Sequence, residues 1–411
     1  MLALEIIEFI PYLTKDTTKM KLRWAANLLL IFIGIFTAVL IAEIGLRLIG
    51  YSNPSFYKYD ETLGSSLRPY AEGLYQKEGR AYVKINSDGL RDVEHTVAKP
   101  DNVFRIAVLG DSYAQGLQLD IDKLFWKLLE NRLNSCPEFN SDKKIEIINF
   151  GVSGYGTGRE LLMLRKKVWK YRPDMVILAF LTGNDVRDNS KELNRVYYIP
   201  YFELNENGKL VLDRSYLESS EYKMRLGLLA DIMYGVGNQV RLMQLANDVR
   251  NWWRTYLRKK DIYDNNSQIE LGLDDHIYLP PKSEVWKKAW AVTEALLLHM
   301  KQEIENKQSS FLLVSLSNGM QVTIDKESKN DFMAALGVDN LFYPDMRIQN
   351  FAQKHDIEVL TLAPELAKIA TAKQIYMHGF KNTAMGSGHW NENGHRFAAQ
   401  LIAKHLCKDD K

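Results

Sequence analysis

Five short apolar runs divide this chain, each followed by glycine or polar residues and, in most cases, by a helix-like stretch. They are Arg105-Ile106-Ala107-Val108-Leu109, Ile145 to Phe150, Met175 to Phe180, Phe311 to Ser315 and Ile357 to Thr361. Helical patterns start at Arg159 and cover about 284–306 and 345–355 between them. Strands alternating with helices over residues 84–190 argue for βαβ units and a mostly parallel sheet. The rhythm breaks over 191–285. There Tyr197 to Phe202 and Lys209 to Leu212 predict a small hairpin, and Tyr222 to Tyr256 predicts a helix with an apolar face at Leu226, Leu229, Met233, Val240 and Met243. A loop from Asp261 to Pro281 closes that stretch. It reads as an inserted helical cap, since insertions at the rim of such a sheet often control access to a site.

The N-terminus carries a different pattern. Ala25 through Leu48 spans 24 residues broken only by Asn27, Glu43 and Arg47. About 20 helical residues cross a bilayer. Lys15, Lys19, Lys21 and Arg23 precede the run, and by the positive-inside rule this predicts a cytoplasmic N-terminus with the rest of the chain outside. A signal peptide is the competing reading, but the run is long for one and no clear cleavage site precedes Glu43. The expected organisation is therefore a cytoplasmic segment (1–23), a transmembrane anchor (24–49) and an irregular stalk or leader (50–83). A catalytic-type α/β domain (84–190 and 286–411) follows, with the cap (191–285) inserted. An apolar patch from Ile6 to Leu13 reads as a short interfacial helix or as sequence preceding the true start.

Chemistry-bearing residues cluster where strands end. Gly110-Asp111-Ser112 follows the first run, Gly151-Val152-Ser153-Gly154 the second, and Gly183-Asn184-Asp185 the third. Gly388-His389-Trp390-Asn391-Glu392 opens the last helix. Open α/β sheets place their ligands at the carboxyl ends of strands, so these clusters converge on one rim. Ser112 alone reads equally as a helix cap; with the other three clusters it becomes a candidate nucleophile.

This ordered set resembles the SGNH/GDSL hydrolase superfamily over roughly residues 84–200 and 290–405. It looks most like the membrane-anchored bacterial branch, in which a segment such as Asn86 to Asp92 precedes the catalytic strand. The resemblance implies a flavodoxin-like three-layer α/β sandwich, with Ser112 as nucleophile and His389 as its base. The oxyanion hole would comprise the backbone N–H of Ser112, the backbone N–H of Gly154 and the side-chain amide of Asn184. Asp111 and Asp185 read as loop braces, and His395 as a packing residue. One departure matters. The family places an aspartate two or three residues before the histidine, where this chain has Gly386 and Ser387. Three outcomes stay open: the Ser387 hydroxyl or a backbone carbonyl orients His389, Glu392 substitutes, or the protein binds without turning over.

The remaining composition narrows the function classes. Net charge is +2 with Lys/Arg pairs scattered, so nothing points to a nucleic-acid partner. No third ligand stands near His389 and His395 for a metal, no cofactor is implied, and the Gly151–Gly156 loop lacks the Lys of a phosphate-binding P-loop. Only Cys136 and Cys407 occur. In a flavodoxin-like sheet both fall at the rim opposite the site, where a disulfide and two buried thiols are both compatible. The expected function is an extracytoplasmic, inner-membrane-anchored serine esterase. Its expected substrate is an ester, such as an O-acetyl group, of an envelope glycan or lipid. Acyl transfer to a sugar hydroxyl uses the same residues, and a catalytically weakened binding or assembly subunit is the reading that the empty aspartate position favours. Oligomeric state is not legible.

Overall fold

A computed structural model describes residues 5–136, 139, 143–225, 235–263 and 273–407. Helix α1 (Glu5–Leu48) runs unbroken through the predicted anchor. Its stretch Met20–Leu48 is long and apolar enough to cross a membrane, a property shared by anchors and signal sequences, and none of its most apolar window is buried. Two antiparallel hairpins follow: β1 (Tyr57–Asp60) with β2 (Gly64–Leu67), and β3 (Glu72–Tyr75) with β4 (Ala81–Lys84). Residues 50–83, expected as an irregular stalk or a leader packed on the domain, are thus two hairpins. Phe56, Leu63, Leu67 and Val83 are buried in the core on one face of the main sheet. Strands of four residues are too short for a period-two pattern to stand out from the surrounding Tyr, Gly and Pro.

The main sheet contains β5 (Val103–Gly110), β6 (Lys144–Asn149), β7 (Met175–Leu181), β10 (Ser310–Leu316) and β11 (Glu358–Thr361), in the order β11-β10-β7-β5-β6. Every pairing is parallel. β7 is buried at every position, as expected of a central parallel strand covered on both faces. After β5 the chain adds β6 on one side and then returns past β5 to lay β7 on the other. The topological switch point therefore lies at the carboxyl ends of β5 and β7, where open sheets form their binding crevice.

Helices cover both faces. After a one-turn α2 (Ser112–Gln115) comes α3 (Phe125–Asn134), and then α4 (Thr157–Lys166). The inserted region holds the antiparallel hairpin β8 (Tyr201–Leu204) with β9 (Leu210–Asp213), and helix α5 (Arg241–Tyr263). Over the predicted helix 222–256, the described residues are helical in Ser220–Arg225, at 235–239 and in α5. Of its proposed apolar face, Leu226, Leu229 and Met233 lie outside the described residues. The α/β rhythm resumes with α6 (Glu284–Asn306), α7 (Tyr343–Lys354), α8 (Ala363–Lys373) and α9 (Glu392–Cys407). α4 and α6 bury their apolar residues on the hairpin face, while α3, α8 and α9 cover the opposite face.

Because α3 and α9 share a face, their ends meet, and Cys136 and Cys407 form a disulfide with a Cα–Cα distance of 6.3 Å. Their sequence separation of 271 means that the bond closes most of the chain into a loop. In the chain-entropy view this removes roughly 5–6 kcal/mol of freedom from the unfolded state. The amino ends of the strands carry a second brace. Arg105 is fully buried on β5, with its Nε 2.6 Å from Glu146 and its Nη1 donating to Tyr171 O at 2.8 Å. His95 lies 3.2 Å from Asp92 and 2.9 Å from Glu146.

Candidate active site

β5 ends at Gly110, and the chain turns at once into α2. Asp111 caps that turn by accepting from Tyr113 N at 2.9 Å, which leaves Ser112 at the first helical position. His389 reaches it from the loop before α9. Its Nε2 lies 2.8 Å from Ser112 Oγ. A serine hydroxyl needs such a base, because at its own pKa it is a poor nucleophile.

The carboxylate that orients His389 is Glu78, a residue the sequence reading did not consider. Glu78 Oε2 is 2.5 Å from His389 Nδ1, and Glu78 Oε1 accepts the His389 backbone N–H at 2.8 Å. Burial opposes ionisation of Glu78, but its hydrogen bond with His389 and the charge of that ring outweigh it, holding the carboxyl below its usual range. Neither residue proposed for this role fills it. Glu392 is turned away and pairs with Lys123 at 2.5 Å, its side chain 61% exposed. Ser387 is half-buried two residues before His389, and the ring nitrogen it was to meet is taken by Glu78.

Glu78 sits in the loop joining β3 to β4, and that loop is pinned from both sides. Asn382 accepts from Gly79 N at 2.9 Å and donates to the carbonyls of Gln76 and Gly79 at 3.1 and 3.0 Å. Arg80 N donates to Gln118 O at 3.1 Å. The opposing loop allows this approach only because residue 388 is a glycine. Its φ is +82°, and a Cβ there would collide with the Glu78 carboxylate. That glycine was the available signal in the sequence, but it names no partner.

The other predicted residues gather around α2. Asn184 Nδ2 donates to Asp111 Oδ2 at 3.0 Å, and the same oxygen lies 3.4 Å from Ser112 Oγ. This fixes which end of the Asn184 amide carries the donors. One N–H is used on Asp111, and the same nitrogen carries a second. Gln115, one helical turn from Ser112, accepts from Ser153 N at 2.7 Å and Ser153 Oγ at 2.5 Å, holding the loop that carries Gly154. Gly154 has φ +75° and open space where a side chain would project. Asp185 braces the loop by accepting from Leu181 N at 2.9 Å.

No protein-family model and no curated protein matches this chain. Among solved structures, it is similar to an acetyl xylan esterase at 12% identity and TM-score 0.36, covering 74% of this chain and 99% of that one. It is also similar to an acetylxylan esterase from Geobacillus stearothermophilus at 11% identity and TM-score 0.36, covering 74% and 94%. A GDSL-like lipase from Bacteroides thetaiotaomicron matches at 11% identity and TM-score 0.31, covering 74% and 88%. At such identities and scores, the functional reading rests on the residues themselves.

Two further histidines are near but differently occupied. His378 is buried between Gly388 O, 2.7 Å from Nδ1, and Ser317 Oγ, 3.0 Å from Nε2. Burial pushes it down to about 4, so it stays neutral and holds the loop behind His389. His395 accepts from Phe125 N at 3.1 Å, and burial pushes it down to about 3. Among the described residues, no cluster of His, Cys, Asp and Glu is suited to a metal.

Proposed function

We propose that this protein is a membrane-anchored serine esterase of the SGNH type, with Ser112, His389 and Glu78 as its catalytic triad. The observation that carries the reading is the continuous line from Ser112 Oγ to His389 Nε2 at 2.8 Å and from His389 Nδ1 to Glu78 at 2.5 Å. The weakened-binder alternative was motivated by a missing carboxylate, and Glu78 removes that motive.

The chemistry follows from the positions. Ser112 Oγ attacks the ester carbonyl carbon while His389 Nε2 takes the hydroxyl proton. The imidazolium that forms donates from Nδ1 to Glu78, which stabilises its charge. Negative charge on the former carbonyl oxygen is met by the N–H groups of Ser112 and Gly154 and by the second N–H of Asn184. His389 then returns the proton to the leaving alkoxide as the C–O bond breaks, leaving an acyl-Ser112. Water, deprotonated by His389, attacks the acyl carbon and frees the acid and the serine. A sugar hydroxyl in place of water would make the same machinery an acyltransferase. The α1 stretch Met20–Leu48 supports anchoring at the inner membrane with the active site outside the cytoplasm, where the Cys136–Cys407 disulfide persists. An ester of an envelope glycan or lipid is the substrate class that this location favours.

The test is hydrolysis of p-nitrophenyl acetate by the full-length chain in detergent, beside Ser112→Ala, together with labelling by a fluorophosphonate. Turnover and labelling that both vanish in the variant support the reading. Equal rates for the two proteins would sink it.

A further inference from the structure

Helix α5 begins at the outer end of the predicted membrane span. Glu43 accepts from Arg241 N at 3.0 Å with Oε1 and from Leu242 N at 3.0 Å with Oε2, so one carboxylate of α1 caps the start of α5. Arg47 Nη2 donates to Gln239 O at 2.5 Å. Beyond the end of α1, Tyr51 OH donates to Asp248 at 2.5 Å, Asn53 N to Gln244 at 2.8 Å and Ser55 N to Asn238 at 2.8 Å. The depth of this bracket can be set. Trp24 to Ala42 is a stretch of 19 residues. At about 1.5 Å per residue it measures roughly 28 Å, close to the hydrocarbon thickness of a bilayer. Glu43 is thus the first residue past the hydrocarbon, and the backbone of Arg241 and Leu242 is held at that level.

The composition of α5 suits such a place. Val249, Trp252 and Trp253 lie on one helical face by their spacing and are 56%, 62% and 54% exposed. Tryptophan at that exposure fits the headgroup zone, which accommodates an apolar ring with a polar edge. The helix holds six basic residues against two acidic ones, Asp248 and Asp261. Asp248 is already engaged by Tyr51 and by Lys77 at 3.2 Å. Each basic residue close to an anionic leaflet contributes about fivefold in partition.

From these observations we propose that α5 is an interfacial helix, docking its Val249–Trp252–Trp253 face on the outer surface of the bilayer that α1 crosses. The proposal rests on the anchor reading above. It has a consequence for the active site. Lys77 pairs with Asp248 of α5, and Gln76 Nε2 donates to Gly50 O at 3.3 Å, so the loop that carries Glu78 is braced from the membrane side.

The test uses the full-length chain in vesicles of phosphatidylcholine and phosphatidylglycerol. Since Cys136 and Cys407 are paired, a single added cysteine takes an environment-sensitive dye selectively. On Trp252→Cys, a nitroxide carried on the lipid is expected to quench the dye about fivefold more strongly than on Glu327→Cys, an exposed site on the catalytic body, with aqueous iodide showing the reverse. Val249→Cys, one turn earlier, repeats the measurement with both tryptophans present. Equal iodide access at 249, 252 and 327, in a chain that resists alkaline extraction, overturns the docking and leaves the anchor standing. Shielding of 249 and 252 from both quenchers also overturns it, since another protein surface then covers the face. Extraction of the chain by alkali would overturn the anchor reading itself.

Discussion

Replacing Glu78 by glutamine removes one negative charge while keeping the side chain's shape. The glutamine carbonyl can still accept the His389 backbone N–H, now 2.8 Å from Glu78 Oε1, so the loop stays in place. What is lost is the charge at 2.5 Å from Nδ1 that stabilises the imidazolium and selects its tautomer. Two estimates of the cost agree. Opposite charges about 4 Å apart in an effective dielectric of about 20 are worth roughly 4 kcal/mol. Neutralising the equivalent aspartate of a serine protease costs about 10⁴ in turnover, or roughly 5 kcal/mol. Glu78→Gln is therefore expected to lower kcat about 10³–10⁴-fold, with the melting temperature nearly unchanged. The assay is steady-state hydrolysis of p-nitrophenyl acetate, with Glu392→Gln as the control. Glu392 is exposed and pairs with Lys123 on the surface, so its loss should change kcat less than about twofold. The reasoning is refuted if Glu78→Gln keeps more than about a tenth of wild-type kcat, or if Glu392→Gln falls as far.

Gly388→Ala places a methyl group against the Glu78 carboxylate at a φ of +82°; kcat should fall by at least about tenfold, and a structure showing Glu78 undisplaced with full activity would count against the close approach. Asn184→Ala removes the amide proposed as an oxyanion donor, and kcat should drop about 10²–10³-fold while KM moves little, as read from full Michaelis curves. His95 is pushed up to about 9: burial opposes its charge, but hydrogen bonds and charge from Asp92 and Glu146 win. Its folded pKa exceeds the unfolded value near 6.5, so up to about 3 kcal/mol of stability is present below that pH and is lost as pH rises through about 9. Denaturant titrations at pH 7 and 9.5 should show the fall, and His95→Gln should flatten it.

Much of this molecule was readable along the chain. Continuous apolar runs such as Met175 to Phe180 announce central parallel strands, because a strand covered on both faces has no polar positions to alternate. The ends of those runs then locate Ser112, Gly154 and Asn184, since each side chain's place follows from the strand it terminates. His389 follows likewise from the start of α9. All of these depend on local periodicity, which sequence carries directly.

Glu78 does not. It stands 311 residues before His389, in a loop between strands too short to be seen, and Lys77-Glu78-Gly79-Arg80 reads as an ordinary polar turn. Its function arises only when two hairpins fold onto the sheet, Asn382 pins their loop, and Gly388 leaves room for the carboxylate. The pairing of Cys136 with Cys407 was likewise settled by α3 and α9 lying side by side. The order of residues determined the sheet and which residues stand as candidate nucleophile and base. Which carboxylate supports that base was decided by packing between segments far apart in sequence, because a charge acts through distance in space and leaves no periodic trace along the chain.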